Sequence, residues 1–327
     1  MKVFVTGANG LLGSNLVREL LDRQYQVKAF LLPNSDMRSL EGLDFEAVYG
    51  NILEPEGIHT AVEGCDAIIH VAADTSVWPS RSERVRAINI DGTQNLIEAA
   101  LQHKIKRFVH IGSGSSFGFG SKENPGNETT PFIGDKYGLD YIDSKHEGQL
   151  LVLKAVEEKN LPAIIVTPTF MFGPYDSKPG SGRMLLTVQE KKVPAFSGGG
   201  RNFVYAKDVA VAVANALTMG RIGESYIAGH QNFSYKEVFG IISEVLDVPP
   251  PKIQVNDFLL KVGGFLGTTM GVISGKAPKI SYPMAKIACE QQYFSSAKAV
   301  EELQMPQTDI RVAIKDAMDW FKSAGYC

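Results

Sequence analysis

The sequence predicts an α/β fold, a doubly wound parallel sheet followed by a smaller C-terminal α/β region. Short Val/Ile/Phe runs alternate with helix-periodic stretches from the first residues onward. Each run is almost continuously apolar rather than alternating, which is the pattern of a parallel strand covered on both faces. A Gly-rich turn, Thr6-Gly7-Ala8-Asn9-Gly10-Leu11-Leu12-Gly13, joins the first run directly to the first helix.

The elements follow in order. Lys2-Val3-Phe4-Val5-Thr6 is the first strand, and the apolar period from Leu11 to Leu21 is the first helix. Strands are predicted at 26–31, 45–49 and 67–71, a helix over 84–103, a strand at 107–111, a helix over 140–159 and a strand at 163–167. Beyond Phe172-Gly173-Pro174 the alternation stops, and loops rich in Gly and Pro appear at 179–182, 198–200 and 249–251. We therefore place a dinucleotide-binding domain at 1–173 and a mainly substrate-binding region at 174–327. Asn202–Tyr205 and the Ala-rich stretch after Asp208 read as a further strand and helix, so the chain is expected to rejoin the first domain over about 202–220. The stretch 258–275 is the least polar of the chain, but Lys261 and Gly263, Gly264, Gly267 and Gly271 dilute it below a membrane span. It reads as a buried or substrate-covering helix.

Bulk properties narrow the function. A chain of 327 residues, 44% hydrophobic and 21% charged, has apolar material for one large domain and an appended region. Lys and Arg number 33 against 36 Asp and Glu, a net charge of -3 without a long run of one sign, which argues against nucleic acid or a membrane as partner. Cys65, Cys289 and Cys327 have unrelated spacings and suit a reducing compartment. A strand pattern that begins at Lys2 leaves no room for a leader, and a cytoplasmic address is expected. His59, His103, His110, His146 and His230 share no ligand spacing, so no metal is expected.

In the glycine turn, Gly7 can turn sharply, Gly10 can let the backbone approach a pyrophosphate, and Gly13 can let helix and sheet pack closely. Asn9, Leu11 and Leu12 belong to the same cofactor loop. The end of the second strand normally selects the cofactor through a carboxylate for a ribose 2′-hydroxyl or an Arg for a 2′-phosphate. Here it reads Leu31-Leu32, with Arg38 a few residues on, and Arg38 inclines the choice to NADP over NAD. Tyr141 and Lys145 lie four residues apart on one helix face. A nearby ammonium favours a phenolate, which would let the phenol exchange a proton near neutral pH while hydride moves at a carbonyl carbon.

With the glycine loop of a Rossmann sheet and the Tyr/Lys pair in order, the chain resembles the extended short-chain dehydrogenase/reductase superfamily, the NAD-dependent epimerase/dehydratase family. The resemblance places Ser113, in Arg107-Phe108-Val109-His110-Ile111-Gly112-Ser113, as the catalytic Ser, with Ser115 and Ser116 close by. It implies cofactor contacts from His70-Val71-Ala72-Ala73, adenine contacts from Asn51-Ile52, and a nicotinamide-facing backbone at Pro168. Asn89 is expected to be structural.

The stretch 40–44, Ala72-Ala73-Asp74 with Trp78, and Asp319-Trp320-Phe321 look most like bacterial dihydroflavonol-4-reductase-like proteins. The resemblance thus implies a Ser-Tyr-Lys reductase or dehydrogenase of a small organic carbonyl or alcohol. Trp78, Ser115 and Phe172 are expected at the substrate, with Phe117, Phe119 and Tyr175 beside them.

Arg201-Asn202-Phe203-Val204-Tyr205 resembles a diphosphate-binding Arg segment and keeps a nucleotide-sugar epimerase or dehydratase with tightly held NAD as the alternative. A non-catalytic dinucleotide sensor is a further alternative, opposed by the intact Ser113, Tyr141 and Lys145. The helices at 84–103 and 140–159 are the candidate faces of a homodimer.

Overall fold

The computed structural model describes all 327 residues. The chain runs β1 (Lys2–Thr6), α1 (Leu11–Asp22), β2 (Gln26–Leu31), β3 (Glu46–Tyr49), α2 (Pro55–Val62), β4 (Ala67–His70), α3 (Glu83–Arg86), α4 (Gly92–Gln102), β5 (Arg107–Ile111), α5 (Asp140–Lys159), β6 (Ala163–Pro168) and β7 (Phe170–Phe172). It continues through α6 (Arg183–Gln189), β8 (Ala195–Phe196), β9 (Gly200–Tyr205), α7 (Ala206–Asn215), β10 (Ser225–Ala228), β11 (Gln231–Ser234) and α8 (Tyr235–Leu246). The last part is β12 (Ile253–Gln254), α9 (Asp257–Ser274), α10 (Tyr282–Ala288), β13 (Gln291–Gln292), α11 (Ala297–Leu303) and α12 (Ile310–Ser323).

Seven parallel strands form the main sheet in the order β10-β6-β5-β4-β1-β2-β3. Their continuous apolar sequences have a direct cause. Val3 and Val5 enter a core with Leu12, Leu16 and Leu20 of α1, Val209 and Val213 of α7 and Leu303 of α11. Phe4, on the other face, joins Ile58 of α2, Leu96 and Ile97 of α4 and Val152 of α5. Both faces of the inner strands are dry, so polar alternation has no place there, and only the edge strand β3 is largely exposed. The strand order reverses between β1 and β4, and ligands of such sheets bind where the carboxyl ends diverge at that point.

A second sheet pairs β9 with β7, β11 and β13, and β8 pairs with β12. Phe172, Phe203, Phe239, Ile314 and Phe321 form its core with α6, α8 and α12.

Three expectations are corrected. Residues 202–205 belong to β9 of the small sheet; the chain does return to the large one, but through α7 on its face and β10 as its seventh strand. The predicted 84–103 helix is α3 and α4 joined by a π turn at Ala87–Asp91. The apolar stretch 258–275 is a helix, α9, but most of its large side chains are exposed rather than buried. No helix is long and apolar enough to cross a membrane.

Candidate active site

A cavity of about 1160 Å³ opens at the carboxyl ends of the main sheet and reaches under the small one. The glycine turn forms its floor at β1. Gly7 adopts φ +65°, and a Cβ there would lie 2.6 Å from the Ala72 nitrogen. A Cβ on Gly13 would lie 2.1 Å from the Gly7 carbonyl, whereas Gly10 has no such conflict and faces the cavity. Gly10 is the N-cap of α1 and offers no side chain to its first amides, which a helix leaves without internal acceptors. That is a cradle for an anionic phosphate, and the residues present fit a dinucleotide.

Asn9, Leu11, Leu12, Leu32, Asn51, Ile52, Val71, Ala72, Ala73 and Pro168 all line the same cavity. Arg38 does not. Its guanidinium grips Asp36 at 2.7 and 3.0 Å on the exposed side of the loop, outside the cavity lining. Two residues that sequence reasoning passed over stand at this end instead. Ser35 lines the wall with a hydroxyl that has no protein partner. Lys178 lines it from the 174–182 loop, close enough for its charge to add slightly to the Arg38 hydrogen bonds that hold the Asp36 carboxyl down. The loop is fixed there by Asp176, whose carboxylate accepts from the amides of Gly180 and Gly182 at 3.0 and 3.1 Å, and by Ser177, whose hydroxyl donates to the Asn9 carbonyl at 3.4 Å. A Lys in a Gly/Pro loop was a visible signal, but nothing local in the sequence tells where such a loop folds.

Tyr141, Lys145 and Ser113 meet in the cavity wall. Lys145 donates to the Ile111 carbonyl at 2.6 Å, and burial pushes its ammonium down to about 8. Burial raises the Tyr141 phenol above its ordinary value, opposed by a hydrogen bond with Ser113 and by the Arg201 charge. The expected lowering by Lys145 is thus corrected: the ammonium is turned to a backbone carbonyl, and desolvation of the ring outweighs the favourable charges. Ser113 and Ser115 hydroxyls share a hydrogen bond of 2.7 Å. Asn89 is a positioning residue, accepting from the Asp74 amide at 2.8 Å and donating to the Ser144 hydroxyl at 2.9 Å, one residue before Lys145.

The far end is largely apolar, with Phe117, Phe119, Ile142, Met284, Ile287 and Phe294 in the wall. Arg201 joins it from β9; its Nε donates to the Tyr235 hydroxyl at 2.8 Å, its guanidinium lies 5.0 Å from the Phe170 ring centre, and no carboxylate pairs with it. Trp78 and Phe172 are corrected. Trp78 supports α9, where a Cβ on Gly271 would lie 2.8 Å from its ring, and Phe172 is fully buried against Phe203 in the core of the small sheet. Tyr175 instead stacks under Arg18, 3.4 Å from ring centre to guanidinium. No group of three or more His, Cys, Asp or Glu side chains could hold a metal ion.

Residues 3–229 match the model of the NAD dependent epimerase/dehydratase family. The chain is 30% identical to a Synechocystis protein named after dihydroflavonol 4-reductase, over 99% of this chain and 95% of that one. It is 29% identical to sterol demethylase protein B of Methylococcus capsulatus, over 99% of each. Among solved structures, gox2253 superposes with a TM-score of 0.87 at 33% identity, covering 99% of this chain and 98% of that one.

Proposed function

The chain belongs to the NAD dependent epimerase/dehydratase family, within the extended short-chain dehydrogenase/reductases, and from that premise we propose that it reduces a small organic carbonyl with an apolar body, or oxidises the matching alcohol. The observation that carries this reading is a proton-bearing Tyr141 beside Ser113 at the apolar end of the cavity. A phenol held above its ordinary pKa keeps its proton at neutral pH and can give it to a carbonyl oxygen that Ser113 orients by hydrogen bonding. The amides opening α1 would hold the pyrophosphate, Asn51 and Ile52 the adenine, and Lys145 the nicotinamide ribose. Nicotinamide dinucleotide, when bound, supplies or accepts the hydride.

For the choice of cofactor, Ser35 and Lys178 stand in the cavity wall where Arg38 does not. They offer a hydroxyl and a cation to a ribose 2′-phosphate, and Leu31 and Leu32 present no carboxylate to repel it, which supports NADP over NAD. The assembly we take to be a homodimer through α4 and α5, where α5 leaves Leu150 exposed; light scattering that gives a monomer mass would refute it.

Arg201 supports a second reading. A wall guanidinium without a carboxylate suits a diphosphate, and hence a nucleotide-sugar epimerase or dehydratase. Purified protein should oxidise NADPH faster than NADH against apolar aldehydes and ketones, and Tyr141→Phe should cost about a hundredfold or more in kcat. Lys178→Ala should raise KM for NADPH and leave that for NADH unchanged. Conversion of a nucleotide sugar with no net cofactor consumption would move the protein to the second reading.

A further inference from the structure

Helix α9 is packed inside out. Its attached face is glycine: a Cβ on Gly264 would lie 2.6 Å from the Ala285 Cβ of α10, one on Gly267 2.5 Å from the Ile280 carbonyl, and one on Gly271 2.8 Å from the Trp78 ring. No side chain larger than hydrogen fits at those places, so the helix axis lies close against the body. The large apolar side chains consequently point away. Phe258 is 71% exposed, Phe265 60%, Met270 69% and Ile273 81%, and Val262 and Leu266 fall on the same side at helical spacing. The polar interruption in this stripe, Thr269, satisfies its hydroxyl internally by donating to the Phe265 carbonyl at 3.0 Å. The face can therefore enter an apolar phase without stranding a hydrogen-bonding side chain there.

The charge around the helix is one-sided. Residues 252–286 contain Lys252, Lys261, Lys276, Lys279 and Lys286 against Asp257 alone, a local charge of +4 in a chain of -3, so that the remaining residues carry -7. Lys252, Lys276 and Lys279 are exposed at the two ends of the helix, and none of them has a carboxylate partner. The whole-chain balance, which argues against an anionic membrane, averages this away.

We propose that α9 docks the protein on the surface of an anionic lipid bilayer, lying in the interface with its apolar stripe among the acyl chains and its lysines against the headgroups. The helix lies on the membrane rather than crossing it. A second copy fits the same face less well. A twofold contact sets a patch against itself, and here it would bring two lysine rims together with only Asp257 of each chain to offset them. A lid over the cavity is a poorer fit too, since α9 contributes nothing to the cavity wall. Its support α10 does, through Met284 and Ile287, so the docked surface lies one helix away from the cavity. The proposal does not depend on which reaction that cavity performs.

The test is co-sedimentation of the purified chain with vesicles of equal parts phosphatidylcholine and phosphatidylglycerol, and with vesicles of phosphatidylcholine alone. Phe265→Ser/Met270→Ser/Ile273→Ser and Lys276→Glu/Lys279→Glu are measured alongside, with circular dichroism and melting as the check that each variant folds. The wild type should partition onto the mixed vesicles and release with salt. The serine variant should lose at least about tenfold in partition, and the glutamate variant should lose its preference for phosphatidylglycerol. A wild type that stays in solution with both vesicle types overturns the proposal, as does a folded serine variant that binds like the wild type. If vesicles fail to bind while the serine substitutions turn a dimer into a monomer in light scattering, the face belongs to a second copy and the membrane assignment is wrong.

Discussion

The Lys145 ammonium has a backbone carbonyl, Ile111, as its hydrogen-bond partner and no carboxylate, which is why burial brings it down to about 8 from an ordinary 10.5. Below pH 8 the folded and unfolded chains both carry the proton, and the folded chain bears the full cost of the buried charge. Between pH 8 and 10.5 the unfolded chain binds more protons, so this group makes stability rise with pH through that window, by roughly 3 kcal/mol in all. Lys145→Met should therefore be more stable than wild type in urea unfolding at pH 7, and the difference should shrink as pH rises toward 10.

Activity has the opposite dependence. If the ammonium holds the ribose, kcat/KM should fall as pH rises through about 8, and a profile flat to pH 9.5 would remove Lys145 from that role. The glycine turn and the Tyr/Lys pair were legible because their chemistry depends on short spacings. Trp78 and Phe172 lie elsewhere, and Arg38 outside the cavity lining, because proximity in sequence does not decide the course of a loop in the tertiary structure. Ser35 and Lys178 went unnoticed for the same reason.

Strands β4 and β5 place His70 and His110 side by side in register, with ring centres 5.4 Å apart. His70 is held by the hydroxyls of Thr6 and Thr93 at 2.8 and 3.1 Å, and burial takes it down to about 3. His110 lies well below its ordinary value, and neither ring nitrogen has a protein partner. Both are neutral in the folded chain, so their contribution to stability is intact above pH 6.5 and is lost as pH falls from 6.5 toward 3, where the unfolded chain binds the protons. His110→Leu, of similar volume, should change stability at pH 7.5 by less than about 1.5 kcal/mol and make the loss between pH 6.5 and 4 shallower. A large loss at pH 7.5 with an unchanged acid limb would mean that His110 is held by interactions other than packing.

Element identity in this region was readable because both faces of the sheet are dry. Helix α9 misled for a physical reason, since hydrophobicity was taken to mean burial. Its spacing of Gly264, Gly267 and Gly271 already marked the face that packs, and the large residues were left on the other.

The two sheets are interleaved by the path of the chain. After β6 the chain enters the small sheet at β7 and β9, returns to the large one for α7 and β10, leaves for β11 and α8, and comes back once more with α11. A boundary at residue 173 therefore fits the place where strand–helix alternation stops without marking a unit that can be cut out. A 1–173 fragment would lose β10, leaving the β6 edge unpaired, and would strip α7 and α11 from the core that Leu12, Leu16 and Leu20 share with Val209, Val213 and Leu303. An exposed strand edge and an uncovered apolar helix face both favour association over folding.

The fragment should be recovered aggregated or without near-ultraviolet circular dichroism, and it should not enhance NADPH fluorescence, although the whole glycine turn, Tyr141 and Lys145 are present in it. Co-expression with 174–327 should restore both signals, because the missing strand and helices are then supplied from the second piece. Cooperative unfolding together with NADPH binding by 1–173 alone would show instead that the large sheet tolerates an open edge, and that the cofactor site is complete before the chain first leaves it.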